Sequence, residues 1–189
     1  MDYTPNKNWI TIDKNNQMRQ KCIKVEFPLT QSDEQAIKKM IAYIDESYLG
    51  NAKKYGIRPG IGIAANQIGY QKQMFYIRLN DEKNVEQKYF LINPQMLSES
   101  PRKAYITAGE GCLSVPEDRD GYVIRSAKVK IKAFDYFQQK EIVVEGEGIF
   151  GMCLQHEYDH LQGKLYYDRI NPFDPYHQNE DWVKVGSES

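Results

Sequence analysis

The sequence predicts a single α+β domain in which antiparallel sheets pack around a central helix. Three observations point there. Short runs with two-residue apolar alternation recur along the chain, two longer stretches carry helical spacing, and no repeat, low-complexity stretch or interior linker interrupts the 189 residues. That length suits one domain with a core of its own, spanning 1–189 with an N-terminal extension over 1–30 and a loose tail over 175–189.

Residues 1–30 are polar and irregular, with Trp9, Ile10, Ile12, Ile23 and Val25 as packing points. A helix follows over 32 to about 48: Ala36, Ile37, Met40, Ile41 and Ile44 recur on one face, and Ser32 with Gln35 has the form of a capping box. Gly50 and Gly56 punctuate its end, and a glycine-flanked apolar loop occupies 59–69. Residues 74–77 and 89–92 read as strands across a polar turn, the second ended by Asn93-Pro94. Alternation over 123–137 and 141–144 predicts a hairpin across Gln138-Gln139. The second long helix runs from 150 to about 162, with Gly163 as its stop, and residues from Pro175 onward read as the tail.

Composition excludes several classes. At 41% hydrophobic and 27% charged the chain is globular, and a net charge of −1 gives no electrostatic grip on nucleic acid or an anionic membrane. No apolar run approaches the roughly 20 residues that span a bilayer, and the first ten residues lack the apolar segment of a secretory signal. Three widely spaced cysteines (Cys22, Cys112, Cys153) form no disulfide framework and predict a reducing, cytoplasmic setting.

The chemistry is concentrated in Gln155-His156-Glu157-Tyr158-Asp159-His160. Four residues apart on a helix, His156 and His160 are roughly 40° apart around the axis and about 6 Å apart along it, close enough to grip one metal ion. Glu157 points elsewhere on the helix, where it can handle a water bound to that ion. The pattern alone says metal-dependent hydrolase, and the third ligand decides which. A protease class that extends the motif needs a histidine where this chain has Tyr166. Another uses a downstream glutamate, for which Glu180 is available in the polar tail. The strongest candidate is Cys112, because a thiolate and two imidazoles leave a tetrahedral position open for water. The plain alternative for any free cysteine is a small buried hydrophobe, which suits Cys22 and Cys153.

Three segments carry a family resemblance. Gly60-Ile61-Gly62-Ile63-Ala64-Ala65-Asn66-Gln67, Glu110-Gly111-Cys112-Leu113-Ser114 and Gln155-His156-Glu157-Tyr158-Asp159-His160-Leu161-Gln162-Gly163 resemble, in order, the three signatures of the peptide deformylases. Ile63 replaces the usual leucine and Asn66 falls at a variable position. The long stretch between the first two signatures and the short chain after the third resemble the subclass of Gram-positive bacteria and their wall-less relatives.

The resemblance implies a hydrolase that removes the N-formyl group from the initiator methionine of new polypeptides, releasing formate. It implies Cys112, His156 and His160 as metal ligands, Fe²⁺ as the ion with Zn²⁺, Ni²⁺ or Co²⁺ as substitutes, and Glu157 as general base and acid. The Gln67 amide and the Leu113 backbone N–H would donate to the oxyanion. Ile61, Gly62 and Gly111 would pair with the peptide backbone as an added strand. Met152 and Cys153, with Ile61 and Glu110, would line the methionine pocket. Arg119 would lie near the substrate backbone, and Arg125 would pair with Glu110. The implied partners are formylmethionyl nascent chains and a transient contact with the ribosome, with no sequence-specific nucleic acid and no membrane. A zinc endopeptidase and a non-catalytic metal-binding relative are the competing readings.

Overall fold

The computed structural model describes residues 3–186. Helix α1 (Gln31–Tyr48) and the short α2 (Ala52–Tyr55) precede strands β1 (Gly62–Ala64), β2 (Met74–Asn80) and β3 (Glu86–Glu99). Next come β4 (Lys103–Ile106), β5 (Arg125–Ser126), β6 (Lys128–Asp135) and β7 (Lys140–Glu147), then helix α3 (Gly148–Leu161) and strand β8 (Val183–Val185). Five strands form an antiparallel sheet in the order β1-β2-β3-β6-β7. The remaining three form a small sheet, β5-β4-β8, in which β8 runs parallel to β4.

The large sheet is covered on both faces, and the two-residue period sorts its side chains between them. Phe75, Ile77, Leu79, Leu91, Val129 and Ile131 pack with Phe150, Leu154 and Leu161 of α3. Met74, Tyr76, Phe90 and Ile92 point the other way and pack with Ile37, Met40 and Ile44 of α1. This double burial explains why β2 reads as a nearly continuous apolar run. Helix α3 is buried on most of its circumference, so it carries apolar residues nearly all round and serves as the central helix expected.

Several local expectations are corrected. The α1 cap is Thr30, not Ser32. Thr30 Oγ1 accepts from Asp33 N at 3.2 Å while Thr30 N donates to Asp33 Oδ2 at 2.8 Å. Asn93-Pro94 does not end β3. The strand passes through a bulge there, with Asn93 in the left-handed region (φ 52°) and its side-chain amide paired to both N–H and C=O of Val25 at 2.8 Å. In the N-terminal extension Val25 is buried, whereas Ile12 and Ile23 are exposed and Met18 and Cys22 take their place in the core.

The tail is not loose over its described part. Val183–Val185 adds to β4, and Pro175 O accepts from Tyr122 N at 2.7 Å. The last three residues of the predicted tail, and the first two of the extension, lie outside the described residues.

The α3 start is secured from a distance. Its N-cap Glu147 makes no side-chain cap; instead Ile149 N donates to Glu82 Oε1 at 2.6 Å, from the β2–β3 turn. Glu82→Ala is therefore expected to lower the unfolding free energy by about 1 kcal/mol, the usual worth of a helix N-terminal acceptor. An unchanged urea midpoint at unchanged slope would show that the contact does not cap the helix.

Candidate metal centre and active-site cleft

Three segments converge on one cleft of about 650 Å³. Helix α3 brings His156 and Glu157, with His160 buried next to them. The loop between β4 and β5 brings Glu110, Cys112 and Leu113, tightened by Val115 N donating to Cys112 O at 3.1 Å. Strand β1 and the 3-10 turn after it (Ala65–Ile68) bring Gly62 and Gln67.

One sulfur or nitrogen atom each from Cys112, His156 and His160 lies within 4.8 Å of the others. Cys112 Sγ is 3.3 Å from His160 Nε2. Atoms bound to a single tetrahedral ion at about 2.0–2.3 Å stand roughly 3.5 Å apart, so the trio is spaced to hold one. His156 Nδ1 donates to Glu110 Oε2 at 2.9 Å, which leaves Nε2 as its free ligand atom.

The electrostatics also fit a cation. Burial opposes charge on either imidazole, yet Cys112 and Glu110 hold His156 well above the usual histidine range. Burial and the charge on His156 push His160 well below it. The surroundings of His156, with Cys112, Glu110 and Glu157 at hand, thus favour positive charge. Burial pushes the Glu157 carboxyl up to about 7, and its Oε2 has no hydrogen-bond partner among the described residues.

Behind the ligands lies a buried ion network. Arg125, with a fully buried side chain, donates to Glu110 Oε1 at 2.6 Å and Oε2 at 2.9 Å, and to Asp159 Oδ2 at 2.8 Å. Arg169 holds the same Asp159 at 2.6 and 2.7 Å. Burial works to raise Glu110, but Arg125 and His156 hold it at about 2. The expected Arg125–Glu110 pair is present, and it changes how Glu110 is read. Glu110 borders the cleft, yet its oxygens are committed to Arg125 and His156.

Gln67 is oriented by Ala64 N, which donates to its Oε1 at 2.8 Å. Its Nε2 then faces Ser114 Oγ at 3.1 Å and Cys112 Sγ at 3.5 Å. Gly62 has a steric reason to be glycine: an added Cβ would stand 2.5 Å from Glu157 Oε1 and 3.0 Å from Cys153 Sγ. Ile61, Gly62, Gly111, Leu113, Met152 and Cys153 all border the cleft.

Arg119 does not. Its guanidinium lies over the Tyr167 ring at 5.7 Å and the Arg119 backbone N–H donates to Tyr166 Oη at 2.8 Å, while Arg58 lines the cleft beside Gly111. Arg58 stands just ahead of the first signature, and only its proximity to that segment could have drawn attention to it. Tyr166 stacks on His156 at 6.2 Å and is no ligand. Glu180 is exposed and stands outside the ligand cluster, which removes the downstream-glutamate alternative.

Among the described residues no helix is long and apolar enough to cross a membrane. The family model for polypeptide deformylase matches residues 7–176. The chain is 52% identical to the peptide deformylase of Mycoplasma genitalium over 185 residues, covering 98% of this chain and 95% of that one. It is 35% identical to peptide deformylase 2 of Bacillus subtilis over 177 residues, covering 93% and 96%. Among solved structures, the Met-Ala-Ser-bound class I type b peptide deformylase of Acinetobacter baumannii is similar at 25% identity and a TM-score of 0.66, covering 85% of this chain and 96% of that chain.

Proposed function

The chain belongs to the polypeptide deformylase family, and from that premise we propose that it removes the N-formyl group of nascent polypeptides at the Cys112–His156–His160 centre, releasing formate. The observation that carries this reading is that Cys112, His156, Glu157 and Gln67 line one cleft, with His160 completing the metal-capable trio beside it. A thiolate and two imidazoles suit Fe²⁺, which we assign, and also accommodate Zn²⁺, Ni²⁺ or Co²⁺. When bound, such an ion supplies Lewis acidity, making water a nucleophile near neutral pH and drawing charge from the formyl oxygen.

The remaining work falls to the chain's own groups. Glu157, buried beside the ligands, takes the proton from the attacking water and later delivers it to the departing amine nitrogen as the C–N bond breaks. A carboxyl brought near neutrality by burial is suited to both transfers. Gln67 Nε2 and the Leu113 backbone N–H donate to the oxyanion that forms on the formyl carbon.

β1 is an edge strand, and Gly62 in it, Ile61 just before it and Gly111 all border the cleft, so an extended peptide can be gripped as an added strand. Met152 and Cys153 receive the methionine side chain. The Acinetobacter relative holds Met-Ala-Ser, and the same class of peptide suits this cleft. We place the reaction in the cytoplasm, on chains that have just left the ribosome.

Metal-replete protein is expected to release formate from formyl-Met-Ala-Ser, to lose the activity on chelation and to regain it with Fe²⁺ under anaerobic conditions or with Co²⁺. Formate assay before and after chelation checks this. Cleavage of internal bonds in unformylated peptides, with no formate, would instead mark an endopeptidase.

A further inference from the structure

Asn66 falls at the one unspecified position near the end of the first signature, yet it is fully buried. Its Nδ2 donates at 2.8 Å to the backbone carbonyl of His160, a residue 94 positions away. That carbonyl lies in the last turn of α3, where the helix has no following turn to satisfy it. Gly163 N reaches it at 3.1 Å as the chain leaves the helix, and Asn66 takes the second lone pair. The His160 carbonyl is thereby held by Asn66 and Gly163, while its ring turns Nε2 toward Cys112 and its Nδ1 has no partner among the described residues.

The residue next to Asn66 is Gln67, on the same 3-10 turn. Gln67 reaches the loop of Cys112 and Ser114, whereas Asn66 reaches the helix of His156 and His160. One turn therefore ties together the segments that must keep register around the reacting centre. We propose that Asn66 is a positioning residue whose amide fixes the Gln67 turn to the metal-ligand helix, and so fixes His160 relative to Cys112 and Gln67.

Plain packing is a poor account of this side chain. Asn66 Oδ1 has no partner among the described residues, and an apolar side chain of similar size would fill the space without burying an unpaired oxygen. Asn66→Leu separates the two roles. Filler predicts a variant as stable as the parent, or more so, with an unaltered metal site. A clamp predicts a folded variant whose site has loosened, because the last turn of the ligand helix is no longer tied to the Gln67 turn and metal is bound more weakly.

The proposal rests on the functional reading above for the role of Gln67, but the clamp can be read without catalysis. The experiment is Co²⁺ titration of the parent and Asn66→Leu proteins, followed by visible absorption, with thermal unfolding and formate kinetics alongside. The expected result is a Co²⁺ dissociation constant raised about 10-fold or more, shifted ligand-field bands, and a kcat that falls while KM stays, since Ile61, Gly62 and Gly111 are untouched. If the leucine variant does not fold, Asn66→Ala gives the same readings. A folded variant with the parent's Co²⁺ affinity and spectrum overturns the clamp. If the parent itself releases no formate, the functional reading fails, and the Co²⁺ measurements still decide the clamp.

Discussion

Glu157→Gln is expected to bind a divalent ion as the parent does and to lose about 10²–10⁴ in kcat, the usual worth of a positioned general acid–base. Glu157 is not one of the three clustered ligands, so its removal leaves their spacing intact. Glutamine preserves its shape, and the space against Gly62 and Cys153 is filled as before. What goes is the ability to accept a proton from water and return it to the amine. The structure invests heavily in that ability. The carboxyl is buried, carries an oxygen with no hydrogen-bond partner among the described residues, and sits beside Gly62, where any added Cβ would displace it. Metal content by elemental analysis and formate release on the same preparation check the prediction. A variant with parental metal and activity within tenfold of the parent would remove Glu157 from the mechanism.

Arg125→Met is expected to destabilise the protein by about 3–5 kcal/mol, because it strands carboxylates in the interior. Asp159 keeps Arg169, so Glu110 bears most of the loss. Brought from its ordinary 4.5 to about 2, the Glu110 carboxyl contributes on the order of 3 kcal/mol at neutral pH. The sign follows from the folded value lying below the unfolded one. That contribution is complete above the unfolded pKa and is lost as pH falls from about 4.5 through about 2. The stability gap between parent and variant should therefore be widest near neutrality and narrow across that acid window. Urea unfolding of both proteins across pH 3–7 tests it. A gap independent of pH would assign the loss to packing rather than to the ion pair. Glu110 also orients His156, so the variant should hold its metal more weakly.

Legibility in the sequence tracks how local each determinant is. The β6–β7 hairpin and α3 were readable because alternation, helical spacing and a terminal glycine act within a few residues of one another. The two histidines of the metal-capable cluster were readable because i,i+4 spacing on a helix is itself a geometry. The cap of α1 lies two residues before Ser32, since Thr30-x-x-Asp33 and Ser32-x-x-Gln35 are both capping patterns, and burial of Asp33 against Tyr70 favours the first. Asn93-Pro94 looked like a strand end because Pro94 cannot donate. The bulge avoids the need for that donor, and Asn93 gains Val25 as a partner 68 positions away.

Non-local decisions were not readable in this way. Glu110 lines the cleft as expected, but that its oxygens are committed to His156 and Arg125 is a tertiary fact, and Arg119 stands away from the cleft that Arg58 lines because the segment after Pro116 turns along Tyr166 and Tyr167. Asn66 carried no pattern, since its partner is a backbone carbonyl, which any residue supplies. The tail took its place only because β4 presents an edge to Val183–Val185. By itself the sequence determined the two long helices and the strands β2, β3, β6 and β7, the metal-capable trio by resemblance, and the class of chemistry. Helix α2, β1 inside the predicted 59–69 loop, β4 and β8 came only with the structure. What was legible rests on short-range periodicity and on residue types fit for metal and proton. Only the tertiary structure decided which buried charges neutralise one another and which backbone groups are left to be satisfied. Those outcomes depend on desolvation, and desolvation is set by everything packed around a group rather than by its neighbours in the chain.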